Sequence, residues 1–177
     1  DLMPLCGLDG VQLFSLYKGP LLADYLSDGS AAFMVDVASD DRDLADCAAT
    51  MQAMDLVITS DTAIAHLAGA MGVPVWVVLA VGADSRWHAG RTDSPWYPSM
   101  RLLRQELADD WSAPMTAAVR RIDTLTRSIE LARSAAGDSG LTAAAAHFHK
   151  QGDAVEASLF YQRLLRAFPD HVVLAQV

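Results

Sequence analysis

The residues of this chain best suited to chemistry lie between Asp61 and His66, where the pattern of a strand changes to that of a helix. Backbone N–H groups at Thr62, Ala63 and Ile64 would lack helical partners there, and the positive end of the helix dipole would lie behind them. Such a helix start binds phosphate without requiring a net basic protein. His66 follows Thr62 by four residues, so both side chains share one face of the first turn. The spacing leaves a plainer interpretation open, in which Asp61 only caps the helix and His66 is buried.

Short apolar runs alternate with helical patterns through the first hundred residues, and these elements must position the turn at Asp61. We predict strands at residues 11–16, 32–37, 56–59, 75–79 and 101–104. We predict helices at residues 20–26, 42–54 and 62–71. The strand at 75–79 is apolar on both faces, which is typical of a parallel sheet covered by helices on both sides. The sequence therefore predicts a Rossmann-like α/β domain in which at least four strands form a parallel sheet.

The last third of the chain is helical in pattern and ends in a segment of a different kind. A long helix is predicted at 115–135, and residues 137–140 have the composition of a linker. Beyond the linker the spacing of small and aromatic residues resembles a tetratricopeptide repeat, with Gly152 and Asp153 at the turn of a helical hairpin. An ordinary two-helix cap is the alternative. We therefore divide the chain into an α/β domain, 1–136, and a tetratricopeptide-like hairpin, 137–177.

A single hairpin of this kind cannot bury its own apolar face, so it must pack on the α/β domain or on further repeats. Across the hairpin we expect Tyr161 and Leu164 to pack against Ala145 and His149. Residues from 172 onward would begin another helix, so the hairpin is expected to be incomplete. We also expect that the α/β domain folds without it and that the repeats bind a protein partner.

The composition excludes several classes of protein. An apolar content of 52% with 20% charged residues suits a folded domain with a core. The 22 acidic and 13 basic residues give a formal charge of -9, which argues against binding to nucleic acid or to an anionic membrane. The longest stretch without a charge, 62–83, is broken by glycines and Pro74, so no membrane span is expected. Cys6 and Cys47 lack metal-ligand spacing and fit reduced thiols in a cytoplasmic protein.

A resemblance to a known family rests on four stretches that occur in the same order. Residues 61–70 (DTAIAHLAGA) and 72–76 (GVPVW) resemble the nucleotide-sugar site of family 9 glycosyltransferases, the heptosyltransferase-like group. The likeness is closer to the glycosyltransferase domain of bacterial proteins that also carry tetratricopeptide repeats. The other stretches are FSLYKG at 14–19, DCAA at 46–49, and DSRW with DSPWYPSMRL at 84–87 and 93–102. Tyr17 stands where the group usually has Gln, and Ser85 where Trp is common.

The resemblance implies the carboxyl-terminal half of a GT-B enzyme, the half that binds the sugar nucleotide. Carried over to this chain, Lys18 would neutralise a phosphate, while Asp61, Thr62 and Ala63 would contact the diphosphate. His66 would support the turn or contact a phosphate. Preoriented N–H donors and one cation can stabilise a leaving nucleoside diphosphate, so no metal and no cofactor is expected. The acidic pairs at 40–41 and 109–110 are expected to be solvated turns.

The expected activity is sugar transfer from a nucleotide sugar to a glycan or protein acceptor that the sequence does not identify, with inversion. The resemblance places the catalytic base on an amino-terminal domain that would precede Val11, so this chain alone is expected to be nearly inactive. The alternative is a tetratricopeptide-repeat interaction protein with a degenerate, non-catalytic nucleotide-binding domain. Arg86 and Arg91 are candidates for substrate contact or for solvated side chains, and the four tryptophans are expected to be core and loop anchors.

Overall fold

Five strands pair in parallel as two separate sheets in the computed structural model, which describes residues 3–20, 22–27, 29–136 and 138–167. The smaller sheet pairs two strands and the larger has the order β3-β4-β5. The strands are β1 (Leu13–Ser15), β2 (Met34–Asp36), β3 (Val57–Ser60), β4 (Val75–Leu79) and β5 (Met100–Arg104). The predicted parallel pairing is confirmed, and the prediction of four strands in one sheet is wrong.

Side chains at β1 pack against the apolar cluster that also covers one face of the larger sheet. Val11 and Leu13 pack against the same apolar cluster as Leu56 and Ile58, which lie beside and within β3. The described ladder hydrogen bonds of β1 are made to β2. Each of these two strands is three residues long, which leaves the smaller sheet with only a short ladder.

Six α-helices and three short 3₁₀ turns connect and cover the strands in the described ranges. The helices are α1 (Leu22–Ser27), α2 (Leu44–Ala53), α3 (Ala63–Ala70), α4 (Ser112–Ala136), α5 (Asp138–Lys150) and α6 (Ala154–Ala167). The 3₁₀ turns are Met3–Leu5, Ser30–Phe33 and Ser85–Trp87. Helix α2 begins where the Asp43 carboxylate accepts hydrogen bonds from the N–H groups of Ala45 (2.8 Å) and Asp46 (3.1 Å).

The predicted linker at 137–140 is wrong for its described residues, because α5 already begins at Asp138. Residue 137 lies outside the described part of the chain. Gly and Ser have low helix propensity, yet Leu141 is buried in the core one residue later. Tertiary packing of that leucine therefore outweighs the local preference for a loop.

Apolar clusters cover both faces of β4, as the unbroken apolar run predicted. Trp76 and Val78 belong to a cluster with residues of α4, α5 and α6, whereas Val75, Val77 and Leu79 belong to a cluster with residues of α2 and α3. Every residue of β4 is buried. The larger sheet is thus the centre of an α/β sandwich whose carboxyl edge is followed by the turn at Asp61.

Helices α5 and α6 form the predicted hairpin, and its turn includes Gly152 at a φ of 78°, a value that favours glycine. Ala145 and Leu164 are fully buried in the same cluster as Trp76, and Tyr161 packs against that cluster. Because the hairpin shares the core of the α/β domain, we revise the expectation that residues 1–136 fold without it. The boundary at 136/137 and the tetratricopeptide resemblance stay predictions, and the expected helix from 172 lies outside the described residues.

A buried ionic network joins the hairpin to the larger sheet. Glu156 of α6 is only 2% exposed and accepts hydrogen bonds from Arg101 of β5 (2.5 Å) and Arg121 of α4 (3.1 Å). Asp153 also accepts from Arg101, at 2.7 Å. Burial opposes the charge of Arg101, but the hydrogen bonds to Glu156 and Asp153 outweigh it and raise the pKa of the guanidinium. The network thus joins β5 and α4 to the carboxylate of Glu156 in α6.

None of the helices in the described ranges combines the length and apolar character that crossing a bilayer requires.

Candidate functional site

The turn between β3 and α3 leaves the start of the helix without a side-chain cap. Thr62 is the N-cap residue, with extended backbone angles, and its hydroxyl makes no capping hydrogen bond to α3. That hydroxyl instead lies 3.1 Å from the hydroxyl of Thr59 at the end of β3. Asp61, Thr62 and Ala63 are exposed, whereas Ile64 is partly buried. The first N–H groups of α3 therefore receive no capping bond from Thr62, and phosphate binding there stays a prediction.

His66 lies one turn into α3 and is held by aromatic neighbours. Its Nδ1 is 3.2 Å from the Tyr97 hydroxyl, and its ring stacks on Trp87 with the ring centroids 5.2 Å apart. Tyr97 also meets the imidazole edge-on, at 5.8 Å. His66 is therefore half-buried, and two aromatic rings fix its orientation. The alternative interpretation, a histidine that is simply buried, does not require these contacts.

Arg86 supplies a positive charge beside the first turn of α3. Its guanidinium lies 3.5 Å from Nε2 of His66 and forms a 2.9 Å ion pair with Asp84. The hydrogen bond from Arg86 holds the pKa of Asp84 well below its usual range. The same bond raises the pKa of Arg86, the charge of Asp84 adds to the increase, and Asp61 makes a smaller contribution. A half-exposed, permanently charged group thus lies within electrostatic reach of Asp61.

Lys18 lies in a different environment, among acidic residues after β1 and β2. Its ammonium group donates to the backbone carbonyl of Asp41. The Ser39 hydroxyl is the main cause that lowers the pKa of Asp36, and the charge of Lys18 contributes to the decrease. The hydrogen bonds and ion pairs of the described residues do not join Lys18 to the turn at Thr62. The structure therefore brings Asp61, Thr62, Ala63 and His66 together and leaves Lys18 in a separate group.

The sequence did not assign Tyr97 or Trp87 to the site, and it left Arg86 open between substrate contact and a solvated side chain. The three residues lie 31, 21 and 20 positions after His66 in the chain, too far for any helical or strand spacing to relate them. Their signal was indirect: they fall in the stretches DSRW and DSPWYPSMRL that carry the family resemblance. The three residues lie in the loop between β4 and β5, and these two strands set the position of that loop beside α3.

Gly69 makes room for the ring that orients His66, and its replacement tests that packing. A Cβ at position 69 would lie 2.5 Å from Cγ of Tyr97 and 2.9 Å from its Cβ, so the ring would have to move. We expect the steric clash in Gly69→Ala to lower the free energy of unfolding by about 1–3 kcal/mol, partly offset by the higher helix propensity of alanine. The change should also break the Tyr97–His66 contact.

Chemical denaturation measures the effect of Gly69→Ala, and Gly7→Ala is the matched control because nothing lies within 4 Å of its added Cβ. A Gly69→Ala protein as stable as the wild type, with unchanged Tyr97 and His66 ring resonances, would contradict the described packing.

Within the described ranges no group of three or more His, Cys, Asp or Glu side chains is arranged to hold a metal ion.

Comparisons with known proteins match the part of the chain that carries this turn. The family model for glycosyltransferase family 9 (heptosyltransferase) matches residues 22–110, half of the chain. The match includes Asp61, Thr62, Ala63, His66 and Arg86, but it begins after Lys18.

Protein FlbA of Caulobacter vibrioides is 41% identical to this chain over 73 residues, which are 41% of the chain and 12% of FlbA. No solved structure matches. Because the family model covers half of its residues, from α1 to the loop before α4, the chain belongs to glycosyltransferase family 9, the heptosyltransferase family.

Proposed function

We propose that this chain is the nucleotide-sugar-binding, carboxyl-terminal half of a GT-B glycosyltransferase. The whole enzyme would transfer a sugar from a nucleotide sugar to a glycan or protein acceptor, with inversion and without a metal ion. The single observation that carries the proposal is the uncapped start of α3, which follows the carboxyl end of β3 beside Arg86. Open α/β sheets bind nucleotides at this edge.

The chemistry of sugar transfer fits such a site. When the bond from the sugar to the diphosphate breaks, the leaving nucleoside diphosphate gains negative charge. N–H donors at the start of α3, with the helix dipole behind them, would stabilise that charge. Arg86 would add a fixed positive charge, and His66 would support the turn through its contacts with Arg86 and Tyr97. The catalytic base is not assigned to a residue of this chain.

Lys18 is proposed as a second cation for the diphosphate. To act there its ammonium group must leave the Asp41 carbonyl, which is an exposed contact. We expect nucleoside diphosphates to bind with a dissociation constant on the order of a millimolar. Lys18→Ala should weaken that binding at least about tenfold, because it removes a charge-assisted contact.

Calorimetric titration with ADP, UDP and GDP, and with the matching monophosphates, tests the proposed function. Diphosphates should bind more tightly than monophosphates, and Lys150→Ala, which changes the chain's other lysine, should bind like the wild type. Equal affinity of Lys18→Ala and wild type would remove Lys18 from the site. Equal affinity for mono- and diphosphates would contradict a diphosphate site altogether.

A further inference from the structure

We propose that Trp96 forms a ring-stacking subsite that binds the flat face of a nucleobase or of a sugar ring. The inference rests on the proposed nucleotide-sugar site and names a further part of it. Trp96 is 59% exposed, whereas Trp76 and Trp87 are fully buried. The sequence favoured anchoring roles for all four tryptophans, and Trp96 combines such a loop contact with an exposed ring face. An exposed indole face is available for stacking by a flat ligand ring.

The exposed indole is held in one orientation. Its Nε1 donates a 2.9 Å hydrogen bond to the backbone carbonyl of Arg86. The backbone N–H of Trp96 donates to the hydroxyl of Ser94, which is buried, at 3.2 Å. A ring held by its own hydrogen bond, on a backbone held by a second one, loses little conformational freedom when a ligand stacks on it. Trp96 is therefore built as a platform rather than as a loose surface side chain.

His88 supports one face of this platform. The imidazole and indole rings are nearly parallel, at 26°, with their centroids 6.2 Å apart. The backbone of His88 has a φ of 48°, in the left-handed region that side-chain-bearing residues rarely adopt. Strain of this kind persists where the surroundings fix it and is concentrated at binding sites. With His88 behind it, the exposed indole has surface left for a ligand ring.

The platform is coupled to the anion site through one residue. The carbonyl of Arg86 accepts the hydrogen bond of the Trp96 indole, and the guanidinium of Arg86 lies 3.5 Å from Nε2 of His66 in α3. A ligand whose phosphates lie at α3 and Arg86 would therefore carry its neighbouring ring toward Trp96. A nucleotide sugar has a ring on each side of its diphosphate, so either the base or the sugar can supply the stacking face.

Binding of UDP, ADP, UDP-glucose and ADP-glucose to Trp96→Ala distinguishes these two sources. If Trp96 stacks on the base, its loss should weaken all four ligands on the order of tenfold. If it stacks on the sugar, only the two nucleotide sugars should weaken. Trp96→Phe should retain most of the affinity because it keeps the aromatic face. Trp111→Ala is the matched control, since Trp111 is 38% exposed and immediately precedes α4.

Iodide quenching of tryptophan fluorescence in the Trp111→Phe protein gives a second readout that does not require Trp96→Ala to fold. The exposed indole of Trp96 should be protected from iodide when UDP-glucose or ADP-glucose is bound. Unchanged affinity in Trp96→Ala, or unchanged quenching, together with normal nucleotide binding would overturn this inference and leave the proposed function intact. Failure of all four ligands to bind the wild type would refute the proposed function and the subsite with it.

Discussion

Replacing Glu156 by alanine is expected to lower the free energy of unfolding by about 3–5 kcal/mol, a large effect for a polar residue. The carboxylate is buried and accepts from Arg101 and Arg121, so its removal leaves Arg101 charged and poorly solvated. Asp153 remains as a partner of Arg101 but is more exposed. Urea denaturation followed by circular dichroism measures the loss.

Two further variants separate charge from packing at this network. Asp123→Ala removes the acid of an exposed ion pair with Arg127 and should cost less than about 1 kcal/mol. The double replacement Arg101→Met and Glu156→Leu should recover much of the stability that Glu156→Ala loses, because apolar pairs often replace buried ion pairs without loss. A Glu156→Ala protein within about 1 kcal/mol of wild type would contradict the described network.

Arg86→Ala is expected to weaken nucleoside diphosphate binding at least about tenfold, while the unfolding midpoint changes little. The guanidinium is half-exposed and its described partners are Asp84 and His66, so its loss removes a charge from the site rather than from the core. Arg86→Lys should recover part of the affinity, since it keeps the charge but not the fork of donors.

Arg91→Ala is a close control for Arg86→Ala. Both arginines lie in the loop between β4 and β5, and each pairs with an aspartate two positions away, Asp84 or Asp93. Arg91 shares no described contact with His66 or with the start of α3. If Arg91→Ala weakened nucleotide binding as much as Arg86→Ala, general loss of positive charge would explain the effect, and Arg86 would have no special place in the site.

The parts of the fold that depend on local pattern could be predicted from the sequence. Strand β4 has the predicted bounds because five apolar residues follow Pro74 and need cover on both faces. Helix α3 begins after Thr62 because the chain turns from a buried strand to a helix with small residues at its start. Such signals lie within a few positions of one another, and local physical chemistry decides them.

The parts that depend on distant contacts could not be predicted. The linker expected before Leu141 became helix because that leucine is buried in a core shared with the larger sheet. The division into two sheets depends on pairing between strands that are far apart in the chain, which no local pattern encodes. The surroundings of His66 come from a loop more than twenty positions away, whose path is set by β4 and β5. The family resemblance assigned Lys18 to a phosphate, whereas its hydrogen bond in the structure is made to the carbonyl of Asp41.

The most direct test of the central claim, that the start of α3 binds the diphosphate of a nucleotide sugar, is a titration of the isotope-labelled chain with ADP, UDP and GDP. The measured quantities are the amide chemical shifts of Thr62, Ala63 and Ile64. We predict that these amides show the largest shifts and that at least one nucleotide approaches saturation at a few millimolar. Absence of shifts at these amides at that concentration, or larger shifts in the α5–α6 hairpin, would contradict the assignment of the donor site.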